Sequence, residues 1–360
     1  MTIENTKFKP YIAIHPGEHL ADILDGANMS QKELSDRIGI TKETVNDIIN
    51  GRNPVSPETA IKLERVFGIS ATFWNNLQTN YEETFARLED QRSLAGEAEI
   101  ARRYGCYNEL SGYGIVKKTR DWAEKTKELM KFFQVASLGA VPNTEPIAFR
   151  KTHNQHISKE CLAVWLRIGE VDAIKQELPE FDKAKLKELI PTFRQLTLEK
   201  PEIFSKRLKG LCNSCGVAIV YTPYISKTYA NGATRWVGNN PLIQLSLRYK
   251  YSDIFWFTFF HELAHILKHG KKDQYIEIQN SGSTDENEKE ADHFACEVLI
   301  PGKEYKEFVS QKIMTRSSAL AFAQKIGISP EIIAGRLGHD TGNWAAVHSL
   351  RKQLTLSQGK

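Results

Sequence analysis

Two histidines spaced four residues apart follow a strongly apolar segment in the second half of the chain. His261 and His265 come directly after Ile254–Phe260, in which every residue but Thr258 is hydrophobic. Residues four apart lie on one face of a helix, and the apolar run predicts that this helix is buried. A buried imidazole needs a polar partner. The spacing therefore indicates a shared metal ion, with a buried histidine pair lacking metal as the alternative.

Glu262 completes an H-E-x-x-H motif with these two histidines. On a helix this spacing lets both imidazoles bind one Zn²⁺ at about 2.0–2.1 Å, with the glutamate placed to take a proton from water. Zinc lowers the pKa of such a water to about 7. The motif predicts Zn²⁺ as cofactor, peptide hydrolysis as the reaction and Glu262 as the catalytic base.

A catalytic zinc needs a third protein ligand, and an acidic segment at 286–292 offers one. Glu288 and Asp292 are four residues apart, so they share a helix face. We expect Glu288 to bind the metal and Asp292 to accept the second ring N–H of a ligand histidine. Glu290 points to another face and is the weaker choice. The alternative is a solvated helix start, stabilised by the helix dipole.

These motifs together resemble the ImmA/IrrE family of zinc metallopeptidases, which belongs with the gluzincins. The resemblance covers about residues 210–340 and rests on Phe257–Leu267, Glu288–Ala295 and Leu299–Pro301. It implies His261, His265 and Glu288 as ligands and Glu262 as base. Family members studied as proteases cleave helix-turn-helix repressors, usually supplied as a separate chain.

Other residues near the motif carry weaker signals. His269, Tyr275 and His293 are close enough in sequence to be considered as donors to a tetrahedral oxyanion, but such residues are more often structural or exposed. Cys212 and Cys215 have the spacing of half a zinc site. Because no second pair follows at a suitable distance, a structural role is favoured.

Capping residues and glycines divide the N-terminal part into short helices. Ser30 can open a helix that ends at Gly39, and Thr41 can open a second over 42–50. Two further helices follow, over 57–68 and from Ser70 onward. The first pair, joined through a glycine, predicts a helix-turn-helix.

The second helix of this pair is the predicted DNA reader, because its exposed N-terminal end meets base edges in such motifs. Gln31 and Arg52 suit neighbouring phosphate or base contacts. The predicted DNA-contacting residues are Gln31, Thr41, Lys42, Glu43, Thr44, Asn46 and Arg52.

The charge of the N-terminal part works against DNA binding. Residues 1–90 carry 9 Lys and Arg against 14 Asp and Glu, a net charge of −5, while the remainder carries 39 against 30, a net charge of +9. A negative domain repels the duplex, so recognition depends on a local basic spot formed by Lys32, Lys42 and Arg52. The alternative is a helical module used for dimerisation or partner binding.

Residues 15–82 closely resemble HigA-type antitoxins of the XRE family. The matching segments are His15–Glu18, Ser30–Leu34, Asn50–Arg52 and Phe73–Gln78. The resemblance implies a homodimer that binds a palindromic operator in double-stranded DNA. It also implies, as partner, a toxin that cleaves mRNA on the ribosome.

The remaining pattern predicts an α+β fold that is mostly α. Apolar spacings of three and four predict helices in 119–134, 157–177 and 182–199, and strands are expected at 217–221, 233–237 and 242–247, before a final run of helices. We therefore expect an all-α helix-turn-helix domain at 1–90, a helical linker or supporting region at 91–210, and a gluzincin-like peptidase domain with a small β-sheet at 211–360.

Composition narrows the class of protein. A hydrophobic fraction of 41% and a charged fraction of 26% are those of a globular protein. The N-terminus lacks a signal-peptide pattern, and Ile254–Phe260 is too short to cross a bilayer. Five cysteines without an export signal favour a reducing compartment. We expect a cytoplasmic protein with no membrane partner.

The sequence thus predicts a DNA-binding, antitoxin-like transcription regulator that carries a zinc-dependent endopeptidase. Its expected substrate is a regulatory protein, such as a repressor or antitoxin, or the chain itself. The alternative is a non-catalytic HigA-like antitoxin or repressor with a structural zinc site. Retention of Glu262 favours the enzyme, because a structural site does not require a base.

Overall fold

The computed structural model describes residues 12–145, 156–246, 251–269, 271, 275–278, 286–311 and 315–354. Its internal contacts group the chain into two compact units, Met1–Glu99 and Ile100–Lys360. The three-part division expected from the sequence, with boundaries at 90 and 210, stays a prediction.

The first unit consists of helices around a small apolar core. Leu34, Val45, Leu63 and Trp74 are fully buried there. The helices are α1 (Pro16–Gly26), α2 (Gln31–Ile38), α3 (Lys42–Ile49), α4 (Pro57–Phe67) and the long α5 (Ala71–Ala101).

The turn between α2 and α3 forms as the sequence indicates. The Ser30 side chain caps α2 by accepting the Glu33 backbone N–H, and the Thr41 side chain caps α3 by accepting the Thr44 N–H. Gly39 ends α2 with φ of 64°, a left-handed conformation that favours glycine.

The second unit begins with a helical layer. Its helices are α6 (Tyr107–Gly112), α7 (Trp122–Phe133), α8 (Val141–Thr144), α9 (Lys159–Ile174), α10 (Lys183–Glu188), α11 (Ile190–Gln195) and α12 (Pro201–Ser214). The apolar spacing over 182–199 therefore belongs to two helices that meet at Leu189. Pro191, which lacks a backbone N–H, is suited to the first turn of α11.

A four-stranded sheet forms the centre of this unit. Its strands are β1 (Ala218–Thr222), β2 (Ala230–Val237), β3 (Asn240–Ser246) and β4 (Tyr275–Ile278), in the order β1-β3-β2-β4. β1 is parallel to β3, and the other two pairings are antiparallel. The sequence pattern did not predict β4, and Leu247 of the expected third strand lies outside the described residues.

Helices cover both faces of the sheet. α9 packs against β1, β2 and β3, while α13 (Ser252–Lys268) packs against β2, β3 and β4 and against α14 (Glu286–Leu299). The remaining helices are α15 (Gly302–Ser310), α16 (Arg316–Ile326), α17 (Pro330–Thr341) and α18 (Trp344–Val347). The predicted class, α+β and mostly α, is confirmed.

The apolar residues of α13 bury this helix inside the second unit. Trp256, Phe259, Phe260 and Leu263 are fully buried in the core that α13 shares with the sheet and the neighbouring helices. Among the described residues, no helix is both long and apolar enough to cross a membrane.

Candidate metal centre and nucleic-acid interface

α13 presents two histidine rings from one face, one helical turn apart. The Nε2 atoms of His261 and His265 lie 3.0 Å from each other, and both side chains are 2% exposed or less. Two imidazole nitrogens aimed at one point in a buried site need a shared proton or a shared cation between them.

α14 brings a carboxylate to the same point. Glu288 Oε2 lies 3.1 Å from His261 Nε2 and 3.6 Å from His265 Nε2. Three ligands at about 2.0–2.1 Å from a tetrahedral zinc are about 3.3 Å apart. The distances of 3.0, 3.1 and 3.6 Å bracket that value, so the donor set fits Zn²⁺ in both atom type and spacing.

In the described part of the chain, this is the one cluster of side chains that could hold a metal ion. Cys212 and Cys215 are not part of it. Both are buried, free cysteines in the core beside α12 and β1.

The second ring nitrogen of each histidine also has a partner. His261 Nδ1 lies 2.9 Å from Asp292 Oδ1. His265 Nδ1 lies 2.9 Å from His269 Nδ1, and His269 Nε2 lies 3.3 Å from Glu290 Oε2. The Nε2 atoms of both rings thus face Glu288, while each Nδ1 faces a different partner.

Burial and hydrogen bonding set the charge of the cluster. Burial lowers the pKa of His265, which favours the neutral ring that binds metals. Burial raises the pKa of Glu288, but hydrogen bonds from His261 and His265 outweigh it and hold that pKa well below its ordinary value. A neutral His265 ring and an ionised Glu288 carboxylate are the forms in which these two groups bind zinc.

The carboxyl group of Glu262 leaves α13 toward β2. Glu262 is fully buried, and its Oε2 accepts a hydrogen bond of 2.6 Å from Thr234 Oγ1. Gly232, two residues earlier on β2, lies so near that a Cβ there would be 2.5 Å from Glu262 Oε1. The strand therefore donates a hydroxyl hydrogen bond to Glu262, and its glycine lets the Glu262 carboxyl group approach the strand backbone closely.

The three residues predicted as possible oxyanion donors have different surroundings in the structure. Tyr275 stacks on His265, with ring centroids 3.8 Å apart and planes 13° apart, and its hydroxyl accepts from Asn287 Nδ2 at 3.2 Å. His269 is the partner of His265, while His293 is exposed on α14. Neither Thr234 nor Gly232 is indicated by the sequence, since both belong to an ordinary strand pattern without any motif.

The predicted DNA-reading residues differ in how far they are exposed to solvent. Val45 and Ile48 of α3 are buried, with Ile49 partly buried beside them. Thr41, Lys42, Glu43 and Arg52 are exposed, while Gln31, Thr44 and Asn46 are partly exposed. The start of α3, where the DNA contacts are predicted, is therefore accessible.

Ion pairs within the unit reduce the predicted basic spot. Lys32 Nζ lies 2.9 Å from Asp36 Oδ1, and Arg52 lies 3.4 Å from Asp47 Oδ1. Such exposed pairs are weak, so both cations can exchange partners at little cost.

Two parts of the chain match models of known protein families. Residues 20–74 match the family model described as Helix-turn-helix, and residues 212–338 match the one described as IrrE N-terminal-like domain, a peptidase M78 model. The chain belongs to the XRE-type helix-turn-helix family through its N-terminal part and carries an IrrE/ImmA-like domain in its C-terminal part.

Curated relatives resemble about a fifth of the chain. Virulence-associated protein I of Dichelobacter nodosus is 32% identical over 80 residues, which cover 22% of this chain and 74% of the relative. The uncharacterized HTH-type transcriptional regulator YddM of Escherichia coli K12 is 36% identical over 63 residues, or 18% of this chain and 67% of the relative.

Solved structures of HigA-like antitoxins match about a quarter of the chain. The Pseudomonas aeruginosa antitoxin HigA with the higBA promoter is 36% identical, with a TM-score of 0.22, over 23% of this chain and 90% of that one. An addiction module antidote protein of the HigA family from Coxiella burnetii is 33% identical, with a TM-score of 0.22, over 23% of this chain and 92% of that one.

Proposed function

We propose that this chain is a DNA-binding regulator whose C-terminal domain is a zinc-dependent endopeptidase. The observation that carries the peptidase half is the convergence of His261 Nε2, His265 Nε2 and Glu288 Oε2 within 3.6 Å of one another. Glu262, the expected base, lies on the same helix beside the first ligand. The match of residues 212–338 to a peptidase family model supports the assignment.

The side chains around the cluster have separate roles in this proposal. Bound zinc would supply Lewis acidity that polarises the scissile carbonyl and makes water a nucleophile near pH 7. Glu262 takes a proton from the attacking water at its carboxylate and returns it to the leaving amine. Asp292 and His269 orient the rings of His261 and His265 so that each Nε2 faces the proposed metal position.

A purely structural zinc site is the competing function. Structural sites are closed by four protein ligands, whereas catalytic sites use three and keep one position for water or substrate. Three donor atoms converge among the described residues. The buried contacts of Glu262 with β2 add to the case for catalysis, because a structural site has no use for an oriented carboxylate.

For the N-terminal half, we propose recognition of a double-stranded operator by a homodimer. The helix-turn-helix match and the exposed start of α3 support this. The relative YddM is named as a transcriptional regulator. A toxin partner is proposed on the resemblance to HigA-type antitoxins.

The substrate that fits a peptidase joined to a regulator is itself a regulatory protein. We propose a repressor or antitoxin supplied as a separate chain, or this chain, as the protein that is cut. Cleavage would then remove a DNA-bound regulator and convert a signal into transcription.

A peptide library prepared from a bacterial proteome tests the peptidase proposal. Purified chain with one equivalent of Zn²⁺ should cut members of the library, and Glu262→Gln should bind zinc equally but produce no cleavage. A matched control is Glu286→Gln, which removes an exposed carboxylate in the first turn of α14. Cleavage by Glu262→Gln at the wild-type rate, or none by the wild type, would overturn the proposal.

A further inference from the structure

The Glu262 carboxyl group contacts two residues of β2 that lie outside the H-E-x-x-H motif. Thr234 Oγ1 donates to Glu262 Oε2 at 2.6 Å and lies 3.0 Å from the backbone carbonyl oxygen of the same residue. Both residues are at most 2% exposed. A hydrogen bond to a carboxylate in a buried setting fixes its orientation more firmly than one in water.

Gly232 shapes the other side of that carboxyl group. A Cβ at position 232 would lie 2.5 Å from Glu262 Oε1, 2.6 Å from Thr258 Cγ2 and 2.9 Å from Glu262 Cγ. Real Cβ atoms do not approach other heavy atoms so closely. Since φ of Gly232 is not left-handed, close approach is the structural requirement for glycine at this position.

The strand that carries both residues is itself fixed from its opposite face. Arg235, next to Thr234, points toward the helical layer, where its guanidinium lies 3.1 Å from Glu145 Oε2 and also donates to the Leu166 carbonyl. Arg235 is 7% exposed and Glu145 is 4% exposed. β2 therefore connects the helical layer at α8 and α9 to the carboxyl group on α13.

We infer that Thr234 and Gly232 are positioning residues for Glu262 in the reaction proposed above, an inference that rests on that proposed function. Thr234 holds Oε2, and Gly232 leaves the space that Oε1 occupies. The chemistry stays with Glu262, while β2 determines the direction in which its carboxylate faces. These two residues of β2 thus belong to the proposed active site, although no sequence motif marks them.

Four variants separate positioning from folding. Thr234→Val removes the hydroxyl at nearly constant volume, and Thr234→Ser restores it. Gly232→Ala places a methyl group against Oε1. Thr222→Val is the matched control, because Thr222 is a fully buried strand threonine whose hydroxyl accepts from Gln244 and does not contact Glu262.

The first readout is kinetic, on the best peptide from the proteome-derived library. We expect Thr234→Val and Gly232→Ala to lower kcat by about 10- to 100-fold, the effect of a misplacement near 1 Å. KM should change less than twofold, Thr234→Ser should stay within threefold of wild type, and Thr222→Val should keep its kcat. A kcat for Thr234→Val within twofold of wild type, or equal losses in Thr222→Val, would overturn the inference.

The second readout does not require turnover. Acetohydroxamate combines a metal-chelating group with a proton that the base can accept, so its affinity for the zinc-loaded chain reports where the Glu262 carboxylate lies. Isothermal titration should show at least threefold weaker binding by Glu262→Gln and Thr234→Val, at equal zinc content, and near wild-type binding by Thr234→Ser. Equal affinity in all variants would refute positioning by β2. Absence of cleavage by the wild type would instead refute the proposed function.

Discussion

Asp292 offers a quantitative test of how the His261 ring is oriented in the proposed zinc site. Its Oδ1 lies 2.9 Å from His261 Nδ1, on the side of the ring opposite the ligand nitrogen. Removing a carboxylate that orients a ligand histidine lowers metal affinity by about 10- to 100-fold. The Asp292 side chain is 57% exposed, so water can replace part of the interaction and the lower end of that range applies.

We therefore expect Asp292→Ala to raise the Kd for Zn²⁺ by about 10-fold, which is about 1.4 kcal/mol. Asp292→Asn keeps an acceptor and should give a smaller loss. Competition with a chromophoric chelator at pH 7.5 measures both constants.

Glu286→Gln is the matched control for this experiment. It removes one negative charge from the first turn of the same helix, but Glu286 has no assigned part in the cluster. If Glu286→Gln weakens zinc binding as much as Asp292→Ala does, the effect is one of net charge. Unchanged affinity in Asp292→Ala would refute the orienting role of Asp292.

Three further predictions follow from other parts of the molecule. Burial raises the pKa of Glu145 to about 7, so its protonation stabilises the fold at low pH and this contribution is lost as pH rises toward 7. The difference in unfolding free energy between wild type and Glu145→Gln, from urea titrations, should fall between pH 5 and 7, and a flat difference would contradict the shifted pKa. Zinc at 100 times its Kd should stabilise the second unit by about 2.7 kcal/mol, and a thermal shift that survives in His265→Ala would place the metal elsewhere. Lys42→Ala should reduce the salt dependence of operator binding by about one unit of slope, whereas Asn46→Ala should relax sequence preference. Gel shifts with the upstream DNA of the gene check both, and unaltered binding would remove α3 from the interface.

The sequence was most informative where local chemistry determines structure. The caps Ser30 and Thr41 and the left-handed Gly39 predicted the helix-turn-helix, because each acts within one turn of its own helix. The four-residue spacing of His261 and His265 predicted a shared face for the same reason. Glu288 could be proposed from its own spacing to Asp292 and from the family resemblance.

The features that the sequence did not reveal depend on contacts between distant segments. Thr234 lies 28 residues before Glu262, and nothing in the strand pattern marks a hydroxyl that reaches the Glu262 carboxyl group. β4 is only four residues long and pairs with β2 across more than 40 residues of chain, so its own periodicity was too short to detect. His269 shows the same limitation, since its partner Glu290 comes from another helix.

Labelling of protein N-termini in cells tests whether Glu262 acts as the base in peptide hydrolysis. Cells that produce the wild-type chain are compared with cells that produce Glu262→Gln at the same level, with Glu286→Gln as control. We expect a new N-terminus, derived from a regulatory protein or from this chain, in the wild type and in the control but not in Glu262→Gln. Identical sets of N-termini in all three strains, with zinc bound to each purified protein, would contradict it.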